Sequence, residues 1–270
     1  MLEIGQASDV GIQRKGKDNQ DCIGVSLPTP TLSLPPLMII ADGMGGYTGG
    51  SLASSLVIET IIEHYRSSAA TAGINLCEIL QQGILAAHES LIVKAKSDPE
   101  LVKMGSTVVA VVVQDKSSGS MSKLCLANVG DSRAYVMNEN QIKQISWDHS
   151  LVGEMVRSGM ITATEAHTHP KRNILTNSIS AHREKFNIYT TSYELAADDI
   201  LVLCSDGLWG PVSEAQIQAV VVELPPQRAA DKLITLANRN QGPDNISVIV
   251  AKQVAEEATT AILDMDDTQP

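Results

Sequence analysis

Aromatic side chains are scarce in this chain, about 3% of its 270 residues, with one Phe, two Trp and five Tyr. A surface that stacks single-stranded bases needs more than that, so a nucleic-acid-threading role is disfavoured. Positive charge is also short: 20 Lys and Arg stand against 31 Asp and Glu, a formal net of −11. A nonspecific binder of phosphate backbone has the opposite balance. No apolar run approaches the roughly 20 residues that a spanning helix needs, and no secretory apolar segment opens the chain. The four cysteines, Cys22, Cys77, Cys125 and Cys204, form no Cys-x-x-Cys pair. Cys22, Cys125 and Cys204 sit in apolar, strand-like contexts and read as reduced, buried core thiols. These absences lead to an expected soluble, cytoplasmic protein with no nucleic-acid or membrane partner.

What is present mixes two periods. Strand-like, β-branched runs recur at Thr107 to Val113, Lys123 to Val129, Arg133 to Met137, Gln141 to Ile145, Asn187 to Ser192, Ile200 to Cys204 and Ile246 to Ala251. Short polar turns such as Asn138-Glu139-Asn140 join several of them, which favours antiparallel pairing. The helical period marks Leu76, Leu80, Ile84, Ala87 and Leu91, then Leu52, Leu56 and Ile62, then Ala230, Leu233, Ile234 and Ala237. Helical pairs that interrupt antiparallel strands, without regular βαβ alternation, indicate a layered α+β sandwich rather than a doubly wound sheet. No repeat or linker divides the chain, and the Pro-rich stretch 28–36 is a loop between strands. A single domain is expected over residues 1–252, followed by an acidic, aperiodic tail over 253–270.

Acids stand at the tips of the apolar runs. Met38-Ile39-Ile40-Ala41 leads into Asp42-Gly43, Val129-Gly130 into Asp131-Ser132, Leu203-Cys204-Ser205 into Asp206-Gly207, and Gly242-Pro243 into Asp244-Asn245 ahead of a strand. Asn19-Gln20-Asp21 precedes another strand. One such acid is ordinary turn chemistry, but several gathered at one end of a sheet assembly repel one another unless hard cations hold them together. The Gly-rich turn after Asp42 is not a nucleotide loop, because it lacks Gly-Lys-Ser/Thr and the G-x-G-x-x-G spacing. Asp42 offers two carboxylate oxygens to a metal there, and the glycines let the Gly43 carbonyl reach in as well. All-oxygen ligation selects Mg²⁺ or Mn²⁺ over Zn²⁺. His167-Thr168-His169 has no further ligands at zinc spacing, and His64 and His88 are expected on helix surfaces. No Gly-x-Ser-x-Gly elbow marks a serine hydrolase.

Eight elements in order resemble the metal-dependent Ser/Thr protein phosphatases of type 2C, in their bacterial form. They are Asn19-Gln20-Asp21; Ala41-Asp42-Gly43-Met44-Gly45-Gly46 with Ala53-Ser54; Met104-Gly105-Ser106-Thr107; Val129-Gly130-Asp131-Ser132-Arg133-Ala134-Tyr135; Asp148-His149-Ser150; His169-Pro170 with Asn173-Ile174-Leu175-Thr176; Ser205-Asp206-Gly207-Leu208; and Asp244-Asn245-Ile246-Ser247-Val248. The resemblance covers roughly residues 5 to 252. It implies a four-layer αββα sandwich, two antiparallel sheets flanked by helices with a dinuclear metal site between them. It implies two core Mn²⁺ or Mg²⁺ ions, with Asp42 bridging both, Gly43 ligating one through its carbonyl, and Asp206 and Asp244 holding the other. Asp21 contributes through metal-bound water, and Asp131 corresponds to the acid of a third, weaker ion site. The implied activity is hydrolysis of phosphoserine and phosphothreonine in proteins by in-line attack of a metal-bridging hydroxide, in a monomer paired with a cognate Ser/Thr kinase. Asp42, Asp21 and Arg14 are the expected catalytic set.

The departures from the family pattern bear on substrate handling. The family's phosphate-binding Arg stands five residues before the first Asp, where this chain has Gly16; Arg14 and Lys17 flank it, and Arg14 is the favoured substitute because its fork can bind phosphate twice. Met44 stands where many eukaryotic members have a His that acts as general acid. Ser51 stands where relatives often have Glu, and Asn177-Ser178-Ile179-Ser180 replaces the usual Arg-Ala-Ile/Leu-Gly beside a flap over about 148–176. These changes keep a second reading open, a catalytically weak or inactive member that serves as a phosphoprotein-binding module. Retention of Asp42, Asp206 and Asp244 argues against it.

Overall fold

The computed structural model describes residues 2–30, 34–68, 75–114 and 122–253, with backbone alone at 46–48. All strand pairs are antiparallel and form two sheets. The first runs β1 (Leu2–Asp9), β12 (Ile246–Gln253), β11 (Ile200–Cys204), β7 (Arg133–Met137) and β8 (Ile142–Gln144). The second runs β10 (Tyr189–Leu195), β6 (Ser122–Val129), β5 (Val108–Gln114), β3 (Leu37–Met44), β4 (Gly105–Ser106) and β9 (Ile179–Ser180), with β2 (Asp21–Ser26) also paired to β3.

Side-chain alternation explains why two sheets need helices outside them. On β3, Leu37, Ile39 and Ala41 face a cluster shared with α1 (Gly46–Ser67) and α2 (Leu76–Ser97), whereas Met38 and Ile40 face a cluster between the sheets. On β11, Leu201 and Leu203 face that inner cluster, and Val202 and Cys204 face α6 (Glu214–Glu223) and α7 (Pro226–Arg239). Both faces of the central strands are covered, so they read as unbroken apolar runs rather than alternating ones. Three buried clusters thus separate four layers, helix–sheet–sheet–helix, as expected. Between β8 and β9 the chain makes the short helices α3 (Leu151–Arg157) and α4 (Ala163–Thr168), within the stretch expected to form the flap. Another short helix, α5 (Asp206–Trp209), follows β11 directly.

Three expectations need correction, those for Cys125, Cys22 and His88, and one strand, β1, was not foreseen. Cys125 is not a free thiol: its side chain lies on the helix-facing row of β6, and the first turn of α2 packs against that row. Cys77 on that turn forms a disulfide with Cys125, their Cα atoms 5.3 Å apart. Cys204 is the buried free thiol of the set and Cys22 is half-buried. His88 is not a surface residue but 7% exposed, because its position on α2 faces the segment after β9. Finally, β1 carried no strand signal because it is an edge strand with only Gly5 buried. The expected acidic tail lies, apart from Gln253, outside the described residues.

Candidate metal centre

Period-two alternation decides where Asp42 goes. It continues the row of Met38 and Ile40, so it emerges between the sheets where β3 ends. Asp21 opens β2 directly opposite, in register with Asp42 across the antiparallel pair. Like charges facing each other across a ladder destabilise it, so such a pair calls for a compensating cation. The Asp42 backbone is tied on both sides. Its N–H donates to Thr107 Oγ1 at 3.1 Å, and its carbonyl accepts from Thr107 N at 2.8 Å and Ser106 Oγ at 3.0 Å. Thr107 Oγ1 is in turn 2.7 Å from Ser132 Oγ, beside Asp131, so the β3 and β6 tips are fixed as one unit.

The first sheet supplies the other acids. Asp206 is the first residue of α5, and Trp209 at the end of the same turn donates its indole N–H to the Asp131 carbonyl at 3.0 Å. Ser205 donates its hydroxyl to Asp21 Oδ2 at 2.6 Å and accepts from Ser247 N at 3.0 Å, which joins β2, β11 and β12. Asp244 Oδ1 accepts from its neighbour's N–H, Asn245 N, at 2.7 Å; Asn245 Oδ1 accepts from Gln20 N at 2.9 Å. Two glycines permit the close approaches. A Cβ on Gly43 would run into the Gly50 carbonyl at the start of α1, and one on Gly11, whose φ is +80°, would run into the Asp244 carbonyl.

The electrostatics are those of an anion cluster. Burial pushes the Asp42 carboxyl well above the usual range, and the charges of Asp21, Asp206, Asp131 and Asp244 push it further. Asp206 is raised in the same way, by burial and then by Asp131, Asp244 and Asp21. Asp21 rises to about 6 through burial, against the Ser205 and Ser247 hydrogen bonds, and Asp131 to about 7 through burial and Asp148. Asp42 and Asp206 nonetheless keep some contact with solvent. Three buried side-chain oxygens have no hydrogen-bond partner among the described residues, and two of them belong to these acids: Asp21 Oδ1 and Asp206 Oδ1, the third being Thr176 Oγ1. Orphaned carboxylate oxygens in an otherwise well-bonded interior are what a hard cation satisfies. The same residues do not form a finished shell: among the described residues no three His, Cys, Asp or Glu side chains already stand in an ion-holding group. A loosely spaced, all-oxygen set suits Mg²⁺ or Mn²⁺, which keep bound waters, better than a tight tetrahedral ion.

This arrangement has counterparts. The profile described as protein phosphatase 2C matches residues 11–242. The chain belongs to the protein phosphatase 2C family. The serine/threonine phosphatase stp of Listeria innocua is 33% identical over 220 residues, 81% of this chain and 84% of that protein. The crystal structure of Stp1 from Staphylococcus aureus superposes with a TM-score of 0.81 at 32% identity, over 94% of this chain and 96% of that one. The catalytic domain of the phosphatase PstP, in complex with two manganese ions, gives 0.77 at 31% identity, over 94% of this chain and 99% of that one.

Within the 2C framework the two candidate phosphate-binding cations part company. Arg14, in a short turn at Ile12–Arg14, points its guanidinium at Asp244 Oδ2, 2.7 Å away, while Lys17 is exposed and its side chain makes no hydrogen bond among the described residues. Asp148 accepts a fork from Arg133, with Nη2–Oδ2 at 2.6 Å, and Arg133 lies 3.7 Å over the Trp209 ring. His149 Nδ1 accepts from Gly130 N at 3.1 Å, and burial holds its imidazole below its ordinary value, in the neutral form. Sequence reasoning assigned no role to Thr107, Ser132, Ser205, Asn245 or Trp209. The available signal was a polar residue at the end of an apolar strand beside each acid.

Proposed function

We propose that this chain is a Mn²⁺- or Mg²⁺-dependent protein Ser/Thr phosphatase that hydrolyses phosphoserine and phosphothreonine monoesters. One observation carries the reading: the charges of Asp21, Asp131, Asp206 and Asp244, drawn from both sheets, all act on buried Asp42, and two carboxylate oxygens of this set have no hydrogen-bond partner among the described residues. Asp42 and the Gly43 carbonyl would hold one ion, Asp42 with Asp206 and Asp244 the other, Asp21 would act through water, and Asp131 would serve a third, weaker ion. When bound, such cations neutralise the phosphomonoester's charge and make water acidic enough to attack it near neutral pH. The protein's own groups set the stage for that chemistry. Ser205 keeps Asp21 oriented, Thr107 and Ser132 lock the Asp42 and Asp131 tips together, and Trp209 ties Asp131 to the Asp206 turn. Arg14, on the rim beside Asp244, presents a planar fork that matches phosphate oxygens and orients the ester.

The substrate is a phosphoprotein, and the enzyme acts as a monomer opposite a Ser/Thr kinase. No described helix is long and apolar enough to cross a membrane. A cytoplasmic site of action fits the free Cys22 and Cys204 thiols, with the Cys77–Cys125 bond as the feature that opposes it. The decisive assay is hydrolysis of p-nitrophenyl phosphate and a phosphothreonine peptide with Mn²⁺, then with EDTA. Turnover that appears with Mn²⁺ and vanishes with chelator supports the enzyme. Stable phosphopeptide binding without turnover at any metal concentration supports the inactive-module reading instead.

A further inference from the structure

Beside the metal centre, a cavity of about 480 Å³ lies between α3 and the segment 181–188 that follows β9. Three cations line it, Arg157 from α3 and Arg183 and Lys185 from the segment, against a single carboxylate, Glu154. That is a concentration of positive charge in a chain whose formal net is −11. Arg157 donates to the Asp148 carbonyl at 2.7 Å and Arg183 to the Thr176 carbonyl at 3.0 Å. Carbonyls orient these guanidinium groups without neutralising them, and among the described residues no carboxylate forms an ion pair with any of the three.

The walls are built rather than loose. Trp147 and Tyr189 stack at 4.3 Å, and Arg157 lies 5.2 Å over the Trp147 ring. Asn177 exchanges two hydrogen bonds with Asn187, at 2.7 and 3.2 Å. Buried His88 fixes the far wall from behind, its Nε2 lying 2.7 Å from the Arg183 carbonyl and its ring edge-on to Phe186. The near wall is His149, whose ring and backbone both bond Gly130, the residue before Asp131. The hydrogen bonds of His149 to Gly130, which precedes Asp131, thus tie the cavity wall to the proposed metal centre.

We propose that this cavity is a second anion subsite, which takes an acidic group of the phosphoprotein substrate, a carboxylate or a second phosphate, flanking the residue that is dephosphorylated. The proposal rests on the phosphatase reading above and adds a substrate class to it. The test uses peptides that share one phosphothreonine core and differ in their flank: neutral, Asp/Glu-bearing, or carrying a second phosphate. The small ester p-nitrophenyl phosphate, which cannot reach the cavity, is the internal control. Kcat/KM is measured for wild type and for Lys185→Glu, since Lys185 is exposed and its side chain bonds nothing among the described residues.

Wild type favours anionic flanks by about fivefold, the scale of one partly exposed charge contact. Lys185→Glu loses that preference through KM and leaves p-nitrophenyl phosphate turnover unchanged. A gain for both anionic flanks identifies a general anion subsite, and a gain for the second phosphate alone narrows it to phosphate. Equal rates on all three peptides overturn the proposal, as does a variant that slows the small ester as much as the peptides. If the small ester is not hydrolysed at all with Mn²⁺, the phosphatase reading fails. Fluorescence anisotropy of the same peptides, which needs no turnover, then decides the subsite by itself.

Discussion

Raising the pH in the presence of EDTA should weaken this protein, and the carboxylate cluster sets the size of the effect. Asp21 moves from an ordinary 3.8 to about 6 in the fold, and Asp131 from 3.8 to about 7. A carboxyl whose folded value is raised binds its proton more tightly when folded. Its contribution is intact below about pH 4 and is lost as pH rises through about 6 for Asp21 and about 7 for Asp131. At 1.36 kcal/mol per pH unit, that is about 3 kcal/mol for Asp21 and about 4 for Asp131, which do not simply add because the groups interact. Several kcal/mol is a large part of the 5–15 kcal/mol that holds a typical domain together. His149 works in the opposite sense, since its lowered value costs stability only as pH falls below about 6.5. The assay is urea unfolding of wild type and Asp131→Asn in EDTA from pH 5 to 8. The variant should show a shallower decline between pH 6 and 7.5, and Mn²⁺ at 100 times its dissociation constant should restore about 2.7 kcal/mol to wild type. Wild-type stability that holds level or climbs across this range in EDTA would refute the reasoning.

Arg14→Ala should raise KM for p-nitrophenyl phosphate by about tenfold, and Arg14→Lys should recover only part of it, because an ammonium lacks the bidentate fork; steady-state kinetics on both variants decide. Gly43→Ala should lose folding stability and metal affinity together, since the new methyl group meets the Gly50 carbonyl, as thermal melts with and without Mn²⁺ would reveal. Cys77→Ser, or a reductant applied to wild type, should cost about 2–4 kcal/mol of stability, in keeping with cysteines that stand 48 positions apart in the chain. A reductant without effect on the melting temperature would mean that the bond contributes nothing.

The candidate site was legible because strand tips are short-range features. An apolar run that stops at Asp-Gly announces both a strand end and a carboxylate, so Asp42 and Asp206 could be read without knowing the fold. The strands Arg133–Met137 and Ile200–Cys204 were read to the residue, since both of their faces are covered and every position but Arg133 is apolar or aromatic. What stayed hidden depends on contacts distant in sequence. His88 shares the apolar face of α2 with Ile84 and Leu91, but its polar ring masked that signal, and the segment 181–188 that covers it is distant in sequence. The Cys77–Cys125 bond depends on how α2 lies across β6, which no local pattern specifies. Strand β1 has Gly5 as its only buried residue, so no apolar period could reveal it. Ser205 stood only as the last residue of the run into Asp206, and its part in holding Asp21 emerges only when β2 and β11 are brought together.

Calorimetric titration of the metal-stripped protein with Mn²⁺, compared with Asp42→Asn, addresses the centre itself. Wild type should take up two ions, with a third weaker one at high concentration, and the variant should lose at least one of the two tight ions along with turnover. Equal stoichiometry and affinity in the two proteins, or no Mn²⁺ uptake by wild type, would contradict a metal centre built around Asp42.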